Sequence, residues 1–264
     1  MAIVETWSLT RRFDALVAVD ALTVAVQAGE VFGLVGPNGA GKTTVIKMLV
    51  TLLPPSSGTA QVAGYDIVRQ ASQVRRVIGY VPQALSADAT LTGYENLLIF
   101  ARLYDIPRAE REDRIRSALD YMGLADSAHK LVRTYSGGMI RRLEIAQSML
   151  HRPPVLFLDE PTVGLDPVAR QSVWGRIGEM RRDYETTIIL TTHYMEEADS
   201  LCSRVAIMHL GRVAAIGSPA QLKASIGEGA TLDEVFVHYT GGEMEEGGGY
   251  REAERTRRTT RRLG

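Results

Sequence analysis

Residues 36–44, Gly-Pro-Asn-Gly-Ala-Gly-Lys-Thr-Thr, decide the fold of this chain. An apolar run at 31–35 precedes them and an apolar-periodic segment at 43–53 follows, so the sequence predicts a strand, a glycine loop and a helix. The glycines let backbone amides turn toward phosphate oxygens, and the helix N-terminus adds partial positive charge. The stretch therefore predicts a phosphate-binding loop made of Gly36, Pro37, Asn38, Gly39, Ala40, Gly41, Lys42, Thr43 and Thr44.

Three side chains of this loop have separate expected contacts. Lys42 is expected to reach the β- and γ-phosphates, Thr43 to bind Mg²⁺, and Thr44 to place a hydroxyl on the phosphates. The alternative is a chance glycine turn. Because every motif position is filled between a strand and a helix, the sequence favours a nucleotide-binding site.

Two adjacent carboxylates, Asp159 and Glu160, follow the apolar strand predicted at 155–158. Parallel sheets bind ligands at the carboxyl ends of their strands. Asp159 suits the magnesium shell, and Glu160 suits the polarisation of an attacking water. A solvated loop acid is the alternative for Glu160, and the matched phosphate loop makes it the weaker one.

Gln83 and His193 also come directly after predicted strands. The amide of Gln83 is expected to contact both magnesium and the attacking water. The ring of His193 is expected to form a hydrogen bond with the γ-phosphate. A surface glutamine and a structural histidine are the ordinary alternatives, and only the neighbouring motifs favour the functional roles.

The turn Ser136-Gly137-Gly138 opens a predicted helix and makes a second anion site. The phosphate loop already has its own ligand set. We therefore expect this turn to face the nucleotide of another copy of the chain. Without the other motifs, the same three residues would predict only a turn.

Composition limits the class of protein. The 30 Lys and Arg residues nearly balance the 31 Asp and Glu residues, giving a net charge of −1 and no sign of nucleic-acid binding. Cys202 is the single cysteine, so no intrachain disulfide is expected. Neither a signal peptide nor a run of about 18 apolar residues is found, so any membrane role is expected to pass through a partner.

Strand and helix patterns alternate at both ends of the chain, and a helical block at about 84–152 lies between them. The pattern predicts an α/β P-loop NTPase core, with a mostly parallel sheet, a small antiparallel β part and an inserted helical subdomain. Thr92 with Glu95 and Thr231 with Glu234 fit capping boxes. We expect one nucleotide-binding domain at 1–242 that includes an extension at about 218–242, followed by a disordered Arg-rich tail at 243–264.

Together these motifs resemble the ATP-binding subunit of ABC transporters over about residues 3–240. The resemblance implies that ATP is the nucleotide and that the chain hydrolyses it. It also implies that Phe13 stacks on adenine, that Gly164-Leu165-Asp166 line a dimer seam, and that Ser136–Gly138 contact the γ-phosphate held by the opposing subunit.

Partners and location follow from the same resemblance. It implies a second ATP-binding subunit, most simply an identical chain, and an integral membrane permease whose short helix enters a groove near residues 83–104. It places the subunit at the cytoplasmic face of the cell membrane as a peripheral protein.

Departures from the common pattern narrow the assignment. Phe13 stands where Tyr is more frequent, and the signature begins with Tyr135 and ends in Met139-Ile140. With Thr231-Leu-Asp-Glu-Val-Phe, this resembles daunorubicin-resistance exporters. Alternatives are a non-transport ABC protein, an importer ATPase, a nucleotide-sensing scaffold, or the ATPase of an ion, lipid or polysaccharide transporter.

Overall fold

The structure, a computed structural model that describes residues 1–241, contains two β-sheets. In the six-stranded sheet five neighbouring strands run parallel, and β10 pairs antiparallel at one edge. Its order is β10 (Arg212–Gly217), β9 (Arg204–His209), β3 (Val31–Val35), β8 (Thr187–Thr192), β7 (Val155–Asp159) and β6 (Ile78–Val81). The second sheet is antiparallel, in the order β2 (Leu16–Gln27), β1 (Ala2–Phe13), β4 (Ser57–Val62) and β5 (Tyr65–Asp66).

Helices cover both faces of the parallel sheet. They are α1 (Lys42–Leu49), α2 (Ala71–Arg76), α3 (Gly93–Leu103), α4 (Arg108–Tyr121), α5 (Gly137–Met149), α6 (Pro167–Tyr184), α7 (Met195–Leu201), α8 (Pro219–Ile226) and α9 (Leu232–Thr240). Short 3₁₀ turns lie at Ala125–Ser127 and Val132–Thr134. Within residues 1–241, no helix combines the length and the apolar character needed to cross a membrane.

Alternation along the buried strands divides the core into two layers. In β7, Val155 and Phe157 face α1 and the antiparallel sheet, whereas Leu156 and Leu158 face the helices α3 to α6. All residues of β3, β7 and β8 are buried, as expected for strands covered on both faces. The central strands are therefore packed on both faces, and their carboxyl ends lie side by side at one edge of the sheet.

The positions of strands β1 and β2 were not predicted from the sequence, although a small antiparallel part was expected. Register shifts interrupt their pairing, and the left-handed residues Ser8 (φ 48°) and Ala21 (φ 50°) break the apolar alternation. The period-two pattern that identifies a strand is therefore lost.

Two helix boundaries also differ from expectation. The helix expected at 43–53 ends at Leu49, and Thr51 adopts a left-handed conformation with φ 65°. The block expected to be helical from residue 84 starts its first helix only at Gly93, because side chains from elsewhere bind the loop before it. Asn96, for example, accepts from the Asp88 amide at 2.9 Å and donates to its carbonyl at 3.0 Å.

The expected helix caps are confirmed. Both capping boxes form, at Thr92 with Glu95 and at Thr231 with Glu234. Asp166 caps α6, whose first residue is Pro167. The predicted tail at 243–264 lies outside the described residues.

Candidate active site

Four neighbouring strands deliver the predicted site residues to one edge of the parallel sheet. The order β3, β8, β7, β6 places the phosphate loop, His193, the two carboxylates and Gln83 side by side. Register matches this order, because Val35 pairs with Thr192 and Asp159 with Thr191. The sheet thus brings together groups that are distant in sequence.

The phosphate loop is shaped by close backbone contacts. Gly41 has φ 101° and N-caps α1, and an added Cβ would overlap the carbonyl oxygen of Ala18. Lys42 is 4% exposed, and its Nζ donates to the carbonyls of Gly36 at 2.6 Å and Pro37 at 3.0 Å. The loop therefore curls around the lysine, and Thr44 follows on the first turn of α1.

Thr43 and Asp159 form the part of the site that suits Mg²⁺. The Thr43 hydroxyl donates to Asp159 Oδ1 at 2.9 Å, and Thr191 donates to the same oxygen at 2.6 Å. Within residues 1–241 no group of three or more His, Cys, Asp or Glu side chains forms a self-contained metal site. Proteins usually bind Mg²⁺ through one or two oxygen ligands and leave its other coordination positions to phosphate and water. The Thr43 hydroxyl and the Asp159 carboxylate therefore fit the ion.

Glu160 has a partner on three sides. Its Oε1 lies 3.4 Å from Lys42 Nζ and 3.3 Å from His193 Nδ1, and its Oε2 accepts from Gln83 Nε2 at 3.2 Å. Its backbone is left-handed, with φ 48°, a conformation that costs about 1–2 kcal/mol for such a residue. The Glu160 amide donates to the Thr191 hydroxyl at 2.9 Å, which holds this backbone conformation in place.

Burial and charge act in opposite directions on the protonation of this cluster. Burial favours a higher pKa for Glu160, but His193 and Lys42 more than offset it, so the pKa of Glu160 lies below its ordinary value. Burial lowers the pKa of Lys42, against the opposing influence of Glu160 and Asp159. The arrangement keeps an ionised carboxylate beside a buried ammonium group.

The turn at 136–138, here called the signature turn, lies on a separate surface. Ser136 N-caps α5 and accepts from the Met139 amide at 3.3 Å. Ser136 and Gly137 are exposed, and within residues 1–241 the structure gives the amides of Gly137 and Gly138 no acceptor. No hydrogen bond or ion pair of this described part joins the turn to the phosphate loop.

Asp166 lies close to the signature turn rather than to the phosphate loop. Its carboxylate accepts from the Ala169 amide at 2.9 Å as the cap of α6. A Cβ added to Gly138 would come within 2.8 Å of the Ala169 Cβ. The signature turn and the start of α6 therefore form one continuous surface.

Phe13 ends β1 and is 41% exposed, with the Arg11 guanidinium 4.6 Å from its ring centre. Its ring is thus accessible at the surface. The contacts of Phe13 do not include the carboxylate cluster, so the structure leaves its expected adenine contact as a prediction.

A further buried acid near this edge was not predicted from the sequence. Glu197 on α7 is 1% exposed and accepts from Thr162 Oγ1 and Trp174 Nε1, each at 2.8 Å. Burial raises its pKa against these hydrogen bonds. Glu197 thereby ties the loop after Glu160 to α7, which follows His193. Glu197 is adjacent to Glu196 in the sequence, and nothing in this pair indicates that one of the two is buried.

Comparison with known proteins agrees with the geometry. The family profile described as "ABC transporter" matches residues 19–163. The daunorubicin/doxorubicin resistance ATP-binding protein DrrA of Streptomyces peucetius is 46% identical, over 85% of this chain and 68% of that protein. The Nod factor export ATP-binding protein I of Cupriavidus metallidurans is 41% identical, over 84% of this chain and 73% of that protein.

A solved structure titled as the ATP-binding subunit of an ABC transporter aligns with a TM-score of 0.80 and 32% identity. The alignment covers 90% of this chain and 99% of that one. The expected P-loop NTPase fold is thereby confirmed. The chain belongs to the ABC transporter family and is one of its ATP-binding, ATP-hydrolysing subunits.

Proposed function

We propose that this chain hydrolyses Mg²⁺-bound ATP in a composite site shared by two copies and that hydrolysis drives an exporter. One copy supplies residues 36–44 with Asp159 and Glu160, and the other supplies the signature turn. The proposal is supported above all by the exposed N-terminus of α5, whose first amides have no acceptor within the described chain. Such an end is an anion site without a ligand of its own.

The chain's own side chains divide the chemistry. Lys42 offsets negative charge on the β- and γ-phosphates, and the ionised Glu160 accepts a proton from the attacking water. Gln83 and His193 both contact Glu160, so they orient its carboxylate and, through their remaining polar atoms, the water and the γ-phosphate. Removal of a general base typically lowers the rate about 10²–10⁴-fold.

Thr43 and Asp159 would hold the magnesium ion, with Gln83 next to it. When bound, the ion would neutralise negative charge on the β- and γ-phosphates. Phe13 would stack on the adenine, because an exposed aromatic face needs no hydroxyl for stacking. Ser136 and Asp166 would then lie along the seam between the two copies.

ATP drives the cycle by binding the closed pair better than the open pair. Ligands shift a two-state equilibrium only through their differential affinity. In the closed pair the γ-phosphate contacts both chains, so cleavage removes a contact and favours opening. A partner subunit bound to the two chains would be moved by this opening and closing.

The membrane path belongs to a permease subunit, and this chain acts as a peripheral protein at the cytoplasmic face. Residues 1–242 would form the nucleotide-binding domain, with the helical subdomain at about 84–152 facing the permease near residues 83–104. The relatives named for drug resistance and export favour an exporter of drugs or other small amphipathic cargo.

The rate of ATP hydrolysis per chain, measured against protein concentration, tests the composite site. We expect the rate to rise with concentration, to vanish with EDTA and to fall about 10²–10⁴-fold in Glu160→Gln. We also expect Glu160→Gln to form an ATP-dependent dimer on size-exclusion chromatography. A concentration-independent rate, together with a monomeric Glu160→Gln variant in saturating ATP, would contradict the proposal.

A further inference from the structure

A buried ion pair on α5 holds the loop that follows β6. Arg141 and Glu144 are each 2% exposed, and Arg141 Nη1 lies 3.0 Å from Glu144 Oε2. The guanidinium also donates to the carbonyl of Pro82 at 2.7 Å and to that of Gln83 at 2.8 Å. One side chain of α5 thus binds two successive carbonyl groups, which belong to the peptides before and after Gln83.

Glu144 binds the next part of the same loop. Its Oε1 accepts from the amides of Ser86 and Ala87, the latter at 3.2 Å, and from the Ser86 hydroxyl at 3.1 Å. Residues 82–87 are therefore attached to α5 through five hydrogen bonds. We call Arg141 and Glu144 together the α5 clamp.

A buried ion pair is a costly way to hold a loop. Desolvation of the two charges offsets much of their attraction, and an apolar pair of similar size often stabilises a fold as well or better. The planar fork of Arg141, however, reaches two carbonyls and a carboxylate at once, which an apolar side chain or a lysine cannot do. The clamp therefore provides a fixed geometry rather than stability alone.

The loop fixed in this way carries a group of the catalytic cluster. Gln83 donates through Nε2 to Glu160 Oε2 at 3.2 Å, while its carbonyl accepts from Arg141. At the other end, Arg141 lies five positions after Ser136 on the same helix. An unbroken series of contacts thus connects the signature turn to the acid of the chain's own site.

We propose that Arg141 and Glu144 are positioning residues that make the signature helix and the Gln83 loop move as one unit. This inference rests on the proposed composite site. In the closed dimer the signature turn docks on the nucleotide of the opposing copy. Through the clamp, that docking holds the Gln83 amide in the contact with Glu160 that the single chain already shows, so closure of one site fixes a catalytic group of the other.

A mutant cycle with Gln83 tests this inference. In the double variant Arg141→Gln/Glu144→Gln both charges are removed, so no unpaired buried charge remains. We expect its kcat for ATP hydrolysis to fall about tenfold with little change in KM. If the clamp acts through Gln83, the triple variant that also carries Gln83→Ala should have the same kcat as Gln83→Ala alone. The positioning role would be overturned if the kcat losses of the double variant and of Gln83→Ala multiplied, or if the double variant had the wild-type kcat.

A control pair with the same spacing, but partly exposed, is available on α6. Arg176 and Glu179 form another Arg–Glu pair three residues apart, at 2.8 Å, away from the Gln83 loop. Arg176→Gln/Glu179→Gln should retain the wild-type kcat. When it is combined with Gln83→Ala, the fractional losses of kcat should multiply. Should the α5 double variant melt below the assay temperature, Arg141→Lys replaces it in the same cycle, because lysine retains the charge and loses the fork.

The two proposals fail differently. If the wild-type rate does not depend on concentration and Glu160→Gln does not dimerise, the composite site is wrong. If the wild-type rate does rise with concentration and Glu160→Gln does dimerise, but the rate losses in the mutant cycle multiply, the composite site stands and the α5 clamp is merely structural.

Discussion

The phosphate-loop cluster and the signature turn differ in how far their polar groups are paired within one chain. In the cluster, formed by Lys42, Thr43, Asp159 and Glu160, each side chain contacts at least one other member. In the signature turn, the first amides of α5 have no acceptor within residues 1–241. The cluster is preorganised by the sheet, whereas the turn leaves hydrogen-bond donors that the proposed second copy would use.

Burial strengthens the contrast. Lys42, Asp159 and Glu160 are 4%, 1% and 6% exposed, while Ser136 and Gly137 lie open to solvent. Charges in the buried cluster act at short range with little screening. A helix N-terminus at the surface attracts an anion only weakly until a partner surface excludes the water. The difference is what two halves of one site, contributed by different chains, would show.

Charge at the signature turn should break this arrangement without harming the fold. Gly137 is the first residue of α5, and a Cβ there would meet only Leu165 Cδ2, at 3.4 Å. An aspartate at such a position stabilises a helix by about 0.3–1 kcal/mol. We therefore expect Gly137→Asp to fold normally and to lower kcat about 10²-fold, because it repels the γ-phosphate.

Gly137→Ala is the neutral control for that experiment. It adds the same Cβ without the charge, so its ATPase rate should stay within about threefold of the wild type. Equal losses in the two variants, measured as steady-state phosphate release, would show that the turn acts through its shape and not through its charge.

The neighbouring glycine should affect stability instead. A Cβ at Gly138 would lie 2.8 Å from the Ala169 Cβ on α6, closer than packed side chains tolerate. We expect Gly138→Ala to lower the free energy of unfolding by about 1–3 kcal/mol. Urea denaturation followed by circular dichroism measures this, with Gly137→Ala as the matched reference. A Gly138→Ala protein as stable as Gly137→Ala would mean that α5 and α6 are not in firm contact.

The smallest expected effect concerns protonation of the cluster. Burial favours a higher pKa for Glu160, and His193 and Lys42 more than offset it. The pKa of Glu160 is therefore lower in the folded than in the unfolded chain. Its contribution to stability is present above the unfolded pKa and is lost as the pH falls through the folded pKa. In His193→Ala the folded pKa of Glu160 should rise.

Carbon-13 NMR of the Glu160 carboxyl group measures that change directly. The control is His209→Ala, which removes a histidine of β9 that has no ion pair with Glu160. An unchanged Glu160 titration in His193→Ala would show that the 3.3 Å approach of the two side chains carries no electrostatic coupling.

The sequence could predict which residues meet in the cluster because their motifs are short and local, and the catalytic roles of these residues stay predictions. Gly36 to Thr44 are contiguous, Asp159 ends a strand that its apolar pattern identifies, and Gln83 and His193 each come after such a strand. Once the strands are parallel neighbours, their carboxyl ends must meet at one edge. The site could therefore be assembled from short motifs without knowledge of long-range contacts.

The remaining features depend on contacts that no short pattern records. Glu144 binds Ser86 across 58 positions, and Glu160 holds a left-handed backbone that only its neighbours stabilise. Strands β1 and β2 escaped detection because bulges interrupt their alternation. Tertiary contacts decide each of these, and local preference does not.

Complementation between two inactive variants tests the composite site most directly. Lys42→Ala retains the signature turn, and Gly137→Asp retains the phosphate-loop cluster. Mixed dimers would then contain one intact site, built from the cluster of one chain and the turn of the other. Random pairing of equal amounts should restore about one quarter of the wild-type sites. The predicted result is an ATPase rate in the mixture above that of either variant alone, at about this level if the two sites act independently and about tenfold lower if each site also requires closure of the other. A mixture that remains as inactive as its components, although the chains pair in ATP, would contradict the account.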